Sequence, residues 1–415
     1  MKYRITTLLA TSAATALRCA GAAWADDQAA PAPASAPAPA AAAAPAPSPM
    51  PYPSMTPPIS ANPYPAAFDA GPLGKITVDG VISGGGFYQS NPQYGQPNDF
   101  GDVDNAQVII NKSDGPIQFY IQAGVYSIAS LGTAYVKSTT FDNETFGFVP
   151  QGFLKLVPNS TFSIEAGALP TVIGAEYTFS FENMNIERGL LWNQEPAISK
   201  GVQVNFTKGP WAVSAAWTDG YYSNTYTAIS GIVTYTFKNS DTLAFAGEGN
   251  VASNHASSFV TPSQQNNGQI YNLIYTHSQG PWTITPYIQY NNSPHNSVSA
   301  AGDSWGFAVL TKYNFTPEVS VSARGEYITS SGAANLLGYG VDSSAWSLTV
   351  TPAYQKGIFF VRGELSYVGV SGYQRSVTIV PPLPYPPFLV PGYGFGSTGD
   401  AGNQFRAMGE AGIVF

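Results

Sequence analysis

Oppositely charged side chains recur a few residues apart within apolar stretches of the sequence: Arg324 with Glu326, Arg362 with Glu364, and Arg406 with Glu410. The even spacing places both members of each pair on one face of a β-strand, because successive side chains point to opposite faces. Basic and acidic groups around a water-filled space create a transverse field, which hinders apolar solutes and lets polar ones pass. The alternative interpretation is that the first two pairs are ion pairs that only brace a protein wall.

The connection from residue 170 to residue 199 is long, aromatic and acidic. It contains four carboxylates and one base: Glu176, Glu182, Glu187, Glu195 and Arg188. The net charge of −3 would favour cations weakly, as rings of acidic side chains do in cation channels. We predict that this segment folds inward, packs its apolar side chains against a wall and narrows a lumen. An ordinary cell-surface loop is the alternative, and the connections near residues 126–149 and 371–402 could also fold inward.

Patterns that would indicate an enzyme or a metal site are weak. The chain has three histidines, without the spacing of a zinc motif: His255, His277 and His295. A GxGxxG match at residues 394–399 lies among prolines and glycines with no helix after it, so it indicates a flexible loop. Asp102 and Asp104 could help to hold Ca²⁺, but two acids in a loop are usually solvated. We therefore predict no enzyme activity, no metal site and no cofactor.

The final stretch of the chain alternates between apolar and polar residues up to its last residue, Phe415. Apolar or small residues occupy every second position from Phe405, and Gln404, Arg406 and Glu410 lie on the other face. The same period of two recurs in four other stretches: 117–125, 202–206, 319–327 and 359–367. Outside the N-terminal region no run of about 20 apolar residues could form a membrane helix, so a membrane-spanning chain would have to cross with strands that close into a barrel.

Sixteen strand candidates lie between Lys75 and Phe415, joined by seven short turns and eight longer connections that alternate. This regular asymmetry predicts an all-β fold, a transmembrane antiparallel up-and-down β-barrel of about 16 strands with short periplasmic turns and long outer loops. A barrel of this size leaves an aqueous channel. Trp211 and Trp282 follow short turns, where an interfacial aromatic girdle is expected. Alternatively, these indoles merely pack against neighbouring side chains.

The N-terminal region differs from the rest of the chain. Lys2 and Arg4 precede an apolar run, and Ala23-Trp24-Ala25 resembles a cleavage site, so we predict a signal peptide at residues 1–25. Lipidation at Cys19 is a minor alternative. Residues 26–70 are rich in Pro and Ala and predict a disordered periplasmic leader, or a spacer that engages the cell wall. We assign the barrel to residues 71–415.

The charge of the chain bears on its partners. The full sequence has 17 basic and 25 acidic residues, and removal of Lys2, Arg4 and Arg18 with the signal leaves 14 basic residues, a formal charge of −11. An acidic surface argues against nucleic acid. Charged residues make up only 10% of the sequence and aromatic residues 13%, which is unusual for a cytosolic enzyme.

The chain resembles the OmpL-like outer-membrane β-barrel porins. The resemblance rests on residues 179–183 (FSFEN), residues 186–196 (IERGLLWNQEP), the strand pair at 201–220 and the terminal Phe415. It covers roughly residues 70–415 and excludes the Pro/Ala-rich region. It implies a passive channel for small solutes in the bacterial outer membrane, and it brings no ligand residues.

Three functions remain open from the sequence. The first is a water-filled diffusion porin that contacts outer-membrane lipid and passes small polar solutes and ions, as a homo-oligomer such as a trimer by analogy with other barrels of this size. The second is a barrel whose outer loops bind a surface partner, as an adhesin or phage receptor. The third is a secreted soluble β-rich binding protein, which would have to cover its apolar strand faces with a second sheet.

Overall fold

The structure is a computed structural model that describes residues 59–62, 64–381 and 385–415. The predicted signal peptide (1–25) lies outside the described residues, and so does most of the Pro/Ala-rich region (26–70).

Sixteen antiparallel strands form a closed barrel. They are β2 (Lys75–Gln89), β3 (Asp99–Lys112), β4 (Ile117–Tyr126), β5 (Gln151–Asn159), β6 (Phe162–Pro170), β7 (Ile198–Lys208), β8 (Trp211–Thr218), β9 (Ala228–Thr236), β10 (Thr242–Asn250), β11 (Gln269–Gln279), β12 (Trp282–Ser293), β13 (Gly302–Asn314), β14 (Val319–Gly332), β15 (Ser344–Lys356), β16 (Phe359–Ser371) and β19 (Asn403–Val414). Each strand pairs with its neighbours in chain order, and β19 pairs with β2 to close the barrel. The predicted up-and-down topology and the number of strands are confirmed.

The last strand closes the barrel by pairing Val414 with Val81 in antiparallel register. Phe415 continues this pairing, because its backbone N–H donates to the carbonyl of Gly80 and its own carbonyl accepts from the Gly80 N–H, at 2.9 and 2.8 Å. A Cβ atom on Gly80 would lie 2.4 Å from the Phe415 ring. A glycine is therefore required where the terminal aromatic ring covers the seam.

The connections alternate in length as predicted. Seven turns of two to five residues join the strands at one end of the barrel, and eight longer connections join them at the other. Because backbone groups in lipid must be satisfied within the sheet, this closed ladder with short turns at one end is the arrangement that outer-membrane barrels share.

The strand faces follow the predicted alternation. Along β14, Ser320, Ser322 and Arg324 are buried inside the barrel, whereas Val319 and Tyr327 are exposed on the outside. The same pattern holds in β16 and β19. The outer face is therefore apolar and the inner face polar, as a lipid-facing barrel requires.

Aromatic rings on the outer face form a row near each end of the barrel. At the short-turn end Trp211 packs on Tyr235 with ring centroids 4.8 Å apart, and Trp282 packs on Tyr313 at 4.6 Å. At the other end Tyr290 lies 4.4 Å from the Trp305 ring. Trp282 and Tyr290 are eight residues apart on β12, a distance of about 27 Å along the strand. The two tryptophans after short turns thus lie in an exterior row and also pack on their neighbours.

Three short strands and two short helices were not predicted. β1 (Ala66–Asp69) lies within the region grouped with the leader and pairs with the start of β2. β17 (Val377–Ile379) and β18 (Phe388–Val390) form a hairpin in the last long connection, and Ser138–Glu144 and Ser263–Asn266 are helical. None of the helices among the described residues is both long and apolar enough to cross a membrane.

Candidate functional site

The connection between β6 and β7 lies inside the barrel, against strands β11 to β16 and β19. We call residues 171–197 the inserted segment. It is anchored by apolar side chains that pack on the barrel wall: Ile173, Met184 and Leu191 belong to one buried cluster with Ile270 and Tyr287. Because its backbone has little regular secondary structure, its peptide groups need hydrogen-bond partners from the wall.

Near the short-turn end, Arg362 of β16 holds the inserted segment by its carbonyl groups. Its guanidinium donates to the carbonyl oxygens of Ser180 and Asn183, at 3.0 and 3.1 Å. The same guanidinium forms an ion pair with Glu410 of β19, and its Nε donates to that carboxylate at 2.9 Å. The alternative pairing of Arg362 with Glu364, considered from the sequence, is therefore wrong, because the cross-strand neighbour Glu410 is directly opposite Arg362 in the register.

Three carboxylates accept backbone N–H groups of the inserted segment. Glu364 of β16 accepts from the N–H groups of residues 186 and 187, at 2.6 and 2.9 Å. Glu326 of β14 accepts from those of residues 190 and 191, at 3.1 and 3.3 Å. Glu176, within the segment itself, accepts from Gly189 at 2.8 Å. A Cβ atom on Gly189 would lie 2.1 Å from Glu326 Oε1, so only glycine allows this approach.

Arg324 of β14 links two of these carboxylates. Its Nη1 lies 2.6 Å from Glu176 and its Nε 3.1 Å from Glu326. The ion pair of Arg324 with Glu326, the alternative considered from the sequence, is thus present. The guanidinium also donates to the carbonyl of Glu187 at 2.8 Å. Charged wall residues therefore satisfy both donors and acceptors of the inserted backbone.

A second segment enters the lumen beside the first. Residues 129–131 run parallel to residues 187–189, with the Arg188 N–H donating to the Ala129 carbonyl at 2.9 Å and the Leu131 N–H donating to the Arg188 carbonyl at 2.9 Å. Arg406 of β19 ties the two segments together, because it donates to the Ser130 carbonyl at 2.8 Å and pairs with Glu187 at 2.7 Å. The connection near 126–149, named as a further inward candidate, thus contributes to the interior.

The six wall residues singled out from the sequence lie between the wall and the inserted segment, and the most exposed of them, Glu326, is 6% exposed. We call these residues, together with Glu176 and Glu187, the charged ladder: Glu176, Glu187, Arg324, Glu326, Arg362, Glu364, Arg406 and Glu410. Buried charges are tolerated when paired and hydrogen-bonded. Removing one partner of a buried ion pair destabilises the protein strongly. The charged ladder therefore fixes the position of the inserted segment.

Arg188 lies at the centre of this ladder and differs from the other arginines. Its side chain is fully buried, and none of its guanidinium nitrogens has a hydrogen-bond partner among the described residues. The guanidinium lies 6.0 Å from the centre of the Trp192 ring. Burial lowers the pKa of Arg188 to about 10, and the nearby Glu176 and Glu364 oppose that change. At neutral pH Arg188 is therefore a buried cation with free donors.

The opposite side of the lumen, from β3 to β8, is lined mainly by amides and hydroxyls. Gln122 donates to Gln107 at 2.6 Å, and Gln203 donates to Asn205 at 2.8 Å. Between this wall and the inserted segment is a small cavity of about 20 Å³, large enough for a water molecule. It is lined by residues of both sides: Tyr120, Gln151, Pro170, Thr171, Glu176, Tyr177, Thr178 and Glu182.

The acidic side chains of the inserted segment are not equivalent. Glu176 and Glu187 are paired with arginines. Burial raises the pKa of Glu195 well above its usual value, and the nearby carboxylates of Glu176 and Glu326 raise it further. Burial also raises the pKa of Glu182 to about 7, and this side chain lines the cavity. Of the two carboxyls that border the small cavity, Glu176 is paired with Arg324, whereas Glu182 ionises near neutrality.

Two other groups were considered from the sequence, a pair of aspartates and the three histidines. Asp102 and Asp104 are in β3, so the prediction of a loop there is wrong; Asp102 instead accepts hydrogen bonds from Tyr135 and Ser138. Within the described residues, no three His, Cys, Asp or Glu side chains are grouped so that they could hold a metal ion. His277 lies near a short turn and contacts Asp241 at 3.0 Å.

Comparisons with known proteins agree with this architecture. Residues 75–415 match the family model described as "Putative beta-barrel porin-2, OmpL-like". No curated protein sequence matches the chain.

Solved structures share the fold at low sequence identity. OmpT of Vibrio cholerae in a trimer form is 12% identical with a TM-score of 0.53, covering 82% of this chain and 99% of that one. The anion-selective porin of Comamonas acidovorans is 9% identical with a TM-score of 0.53, covering 82% and 99%. The channel DcaP of Acinetobacter baumannii is 10% identical with a TM-score of 0.52, covering 84% and 100%.

Proposed function

Because the chain belongs to the OmpL-like β-barrel porin family, we propose that it is a channel for small polar solutes and ions whose lumen is narrowed by the inserted segment. The protein is located in the bacterial outer membrane, and its family is one of porins rather than of enzymes. The observation that carries the narrower proposal is the charged ladder, which fixes the segment against β14, β16 and β19.

The proposed path runs between the inserted segment and the wall of β3 to β8. Buried ion pairs hold the segment on the side of the ladder. The opposite wall contains one buried ion pair, Lys155 with Glu165, and otherwise presents mainly amide and hydroxyl groups that can exchange hydrogen bonds with water. Glu182 and Glu176 border the small cavity between them. This region is the proposed constriction, and it would pass small polar solutes more readily than apolar ones.

The proposal includes two features of the mature protein. Residues 1–25 would direct export and be removed, and the Pro/Ala-rich region before β1 would extend into the periplasm. The homo-oligomer expected from the sequence is supported by OmpT, which has been solved in a trimer form.

Glu182 provides the test of the constriction. Because its pKa is raised to about 7, the carboxyl is neutral below that pH and negative above it. We expect cation preference to increase between about pH 5 and about pH 9. The reversal potential of single channels under a KCl gradient measures this preference directly.

Replacing Glu182 with Gln should remove most of that pH dependence. Glu144→Gln, an exposed carboxyl in another long connection, serves as the matched control and should behave like the original protein. A pH dependence that persists unchanged in E182Q would place the constriction elsewhere. A correctly folded barrel without conductance would instead favour the surface-binding function considered from the sequence.

A further inference from the structure

A second, larger cavity lies among the long connections. Residues 190–194 of the inserted segment border it. Its volume is about 270 Å³. Its walls come from four parts of the chain: the 127–150 connection, the inserted segment, the Ser263–Asn266 helix with the preceding loop, and the end of β14 with the connection after it. A solute entering from the long-loop end would meet this cavity before the charged ladder.

The lining of this cavity carries no formal charge. No Asp, Glu, Lys or Arg is among its lining residues, although the ladder close by is densely charged. Five lining side chains are amides: Asn193, Gln194, Gln264, Gln265 and Asn335. An amide has both donors and an acceptor. Those of Gln194 are already bonded to Leu336, Gln289 and Ser304, so the other four are the ones that can serve a ligand. A charged solute would lose hydration here without meeting an opposite charge, whereas a hydroxyl group could both donate and accept.

Hydrogen bonds to the protein orient some of these amides. Asn193 Nδ2 donates to the carbonyl of Leu131 at 2.8 Å, and Asn335 Oδ1 accepts from the N–H of Gly340 at 2.8 Å. These bonds leave the Oδ1 acceptor of Asn193 and the Nδ2 donors of Asn335 for a ligand. The cavity thus presents polar atoms in fixed directions, which lowers the cost of ordering them on binding.

The cavity also has an apolar and aromatic surface. Leu190, Ile328 and Tyr339 line it together with the amides. Gly132 approaches Tyr339 so closely that a Cβ atom there would lie 1.8 Å from the phenol oxygen. The combination of apolar surface and a few oriented polar groups is typical of small-molecule sites. It suits a ligand with hydroxyl groups around a ring that has less polar C–H faces.

We propose that this cavity binds an uncharged polyhydroxylated solute of the small-saccharide class before the solute passes the constriction. This proposal rests on the proposed channel function and adds to it the class of solute that passes. Binding itself depends only on the cavity.

The test is block of the single-channel current by sucrose added at the long-loop side. Gln264→Leu with Gln265→Leu removes two amides from the lining while keeping side-chain size and helix propensity. Because the variant loses hydrogen-bonding groups from the lining, sucrose should block it about tenfold more weakly. Gln374→Leu changes an exposed amide outside the cavity and should leave the block unchanged. Heat-modifiable migration on a gel identifies folded protein. If the double variant does not fold, Gln265→Leu alone is tested in its place.

Two results would overturn the proposal. One is equal block of the original protein and the double variant by sucrose. The other is stronger block by gluconate, an anionic polyhydroxylated solute, than by sucrose. Calorimetric titration of the detergent-solubilised protein with sucrose separates this proposal from the channel function. If sucrose binds and the variant binds it more weakly, but the barrel does not conduct, the cavity is a saccharide site and the channel function is rejected. If the barrel conducts but does not bind sucrose, the channel function stands and the saccharide site is rejected.

Discussion

Replacing Glu326 with Ala is expected to release the inserted segment from the wall and to increase the single-channel conductance. Glu326 accepts from Arg324, from the backbone N–H groups of Leu190 and Leu191, and from the hydroxyl of Ser347 at 2.7 Å. Its removal leaves the two N–H groups and the hydroxyl without this acceptor, whereas Arg324 keeps Glu176 and the Glu187 carbonyl. The loss of one partner from a buried ion pair costs about 3–5 kcal/mol.

Most of that cost should appear as weaker docking of the segment, because the strand hydrogen bonds of the barrel are unaffected. Limited proteolysis within residues 171–197 and single-channel recording measure the docking and its effect on the lumen. Glu326→Gln retains an acceptor and should have a smaller effect. Glu318→Ala, on the exposed turn before the same strand, is the matched control and should change neither readout. An E326A protein with the original conductance and protease resistance would show that this carboxylate does not hold the segment.

Replacing Arg362 with Met is expected to cause the largest loss of stability among single changes in the ladder. The side chain satisfies Glu410 and the carbonyls of Ser180 and Asn183, and both charges are buried. Without Arg362 the Glu410 carboxylate keeps hydrogen bonds from hydroxyl groups such as that of Ser83, at 2.8 Å, but loses its ion pair. We expect a decrease of about 3–5 kcal/mol in the free energy of unfolding.

The double variant Arg362→Met with Glu410→Gln should recover part of this loss, because it removes the unpaired buried charge. Denaturant unfolding of the protein in lipid vesicles gives the free energies of the single and double variants. Equal stability of R362M and the double variant would contradict the explanation based on an unpaired carboxylate. A strictly additive loss in the double variant would show that the two side chains stabilise the protein independently.

The barrel itself could be predicted because each strand shows the same alternation of apolar and polar residues. A period of two sorts the side chains of β14, β16 and β19 between lipid and lumen, and the alternating turn lengths give the strand count. The seam between Phe415 and Gly80 could not be predicted in the same way, since it joins residues 335 positions apart in the sequence. Neither could β1, which adds to the edge of β2 from a region rich in proline and alanine.

The site was predicted less completely than the fold. The sequence indicated the charged residues and the inward segment, because unusual carboxylates lie in a long aromatic connection. It did not indicate that Glu364 and Glu326 accept backbone N–H groups, since peptide donors have no sequence signal. The distant pairing of Arg406 with Glu187 required the register of the whole barrel. The neutral amide cavity was missed for a similar reason, because its lining comes from four separate parts of the chain.

We propose that the inserted segment, which occupies the lumen, limits the flow of ions. Pro170 and Ile198 are paired in the register of β6 and β7, so a short Gly- and Asn-containing hairpin turn can replace residues 171–197 without opening the barrel. The single-channel conductance of this variant tests the claim most directly, with a shortened 294–301 connection as the control. We predict larger conductance steps for the variant and unchanged steps for the control. An unchanged conductance in a folded, heat-modifiable barrel that lacks the segment would contradict the account.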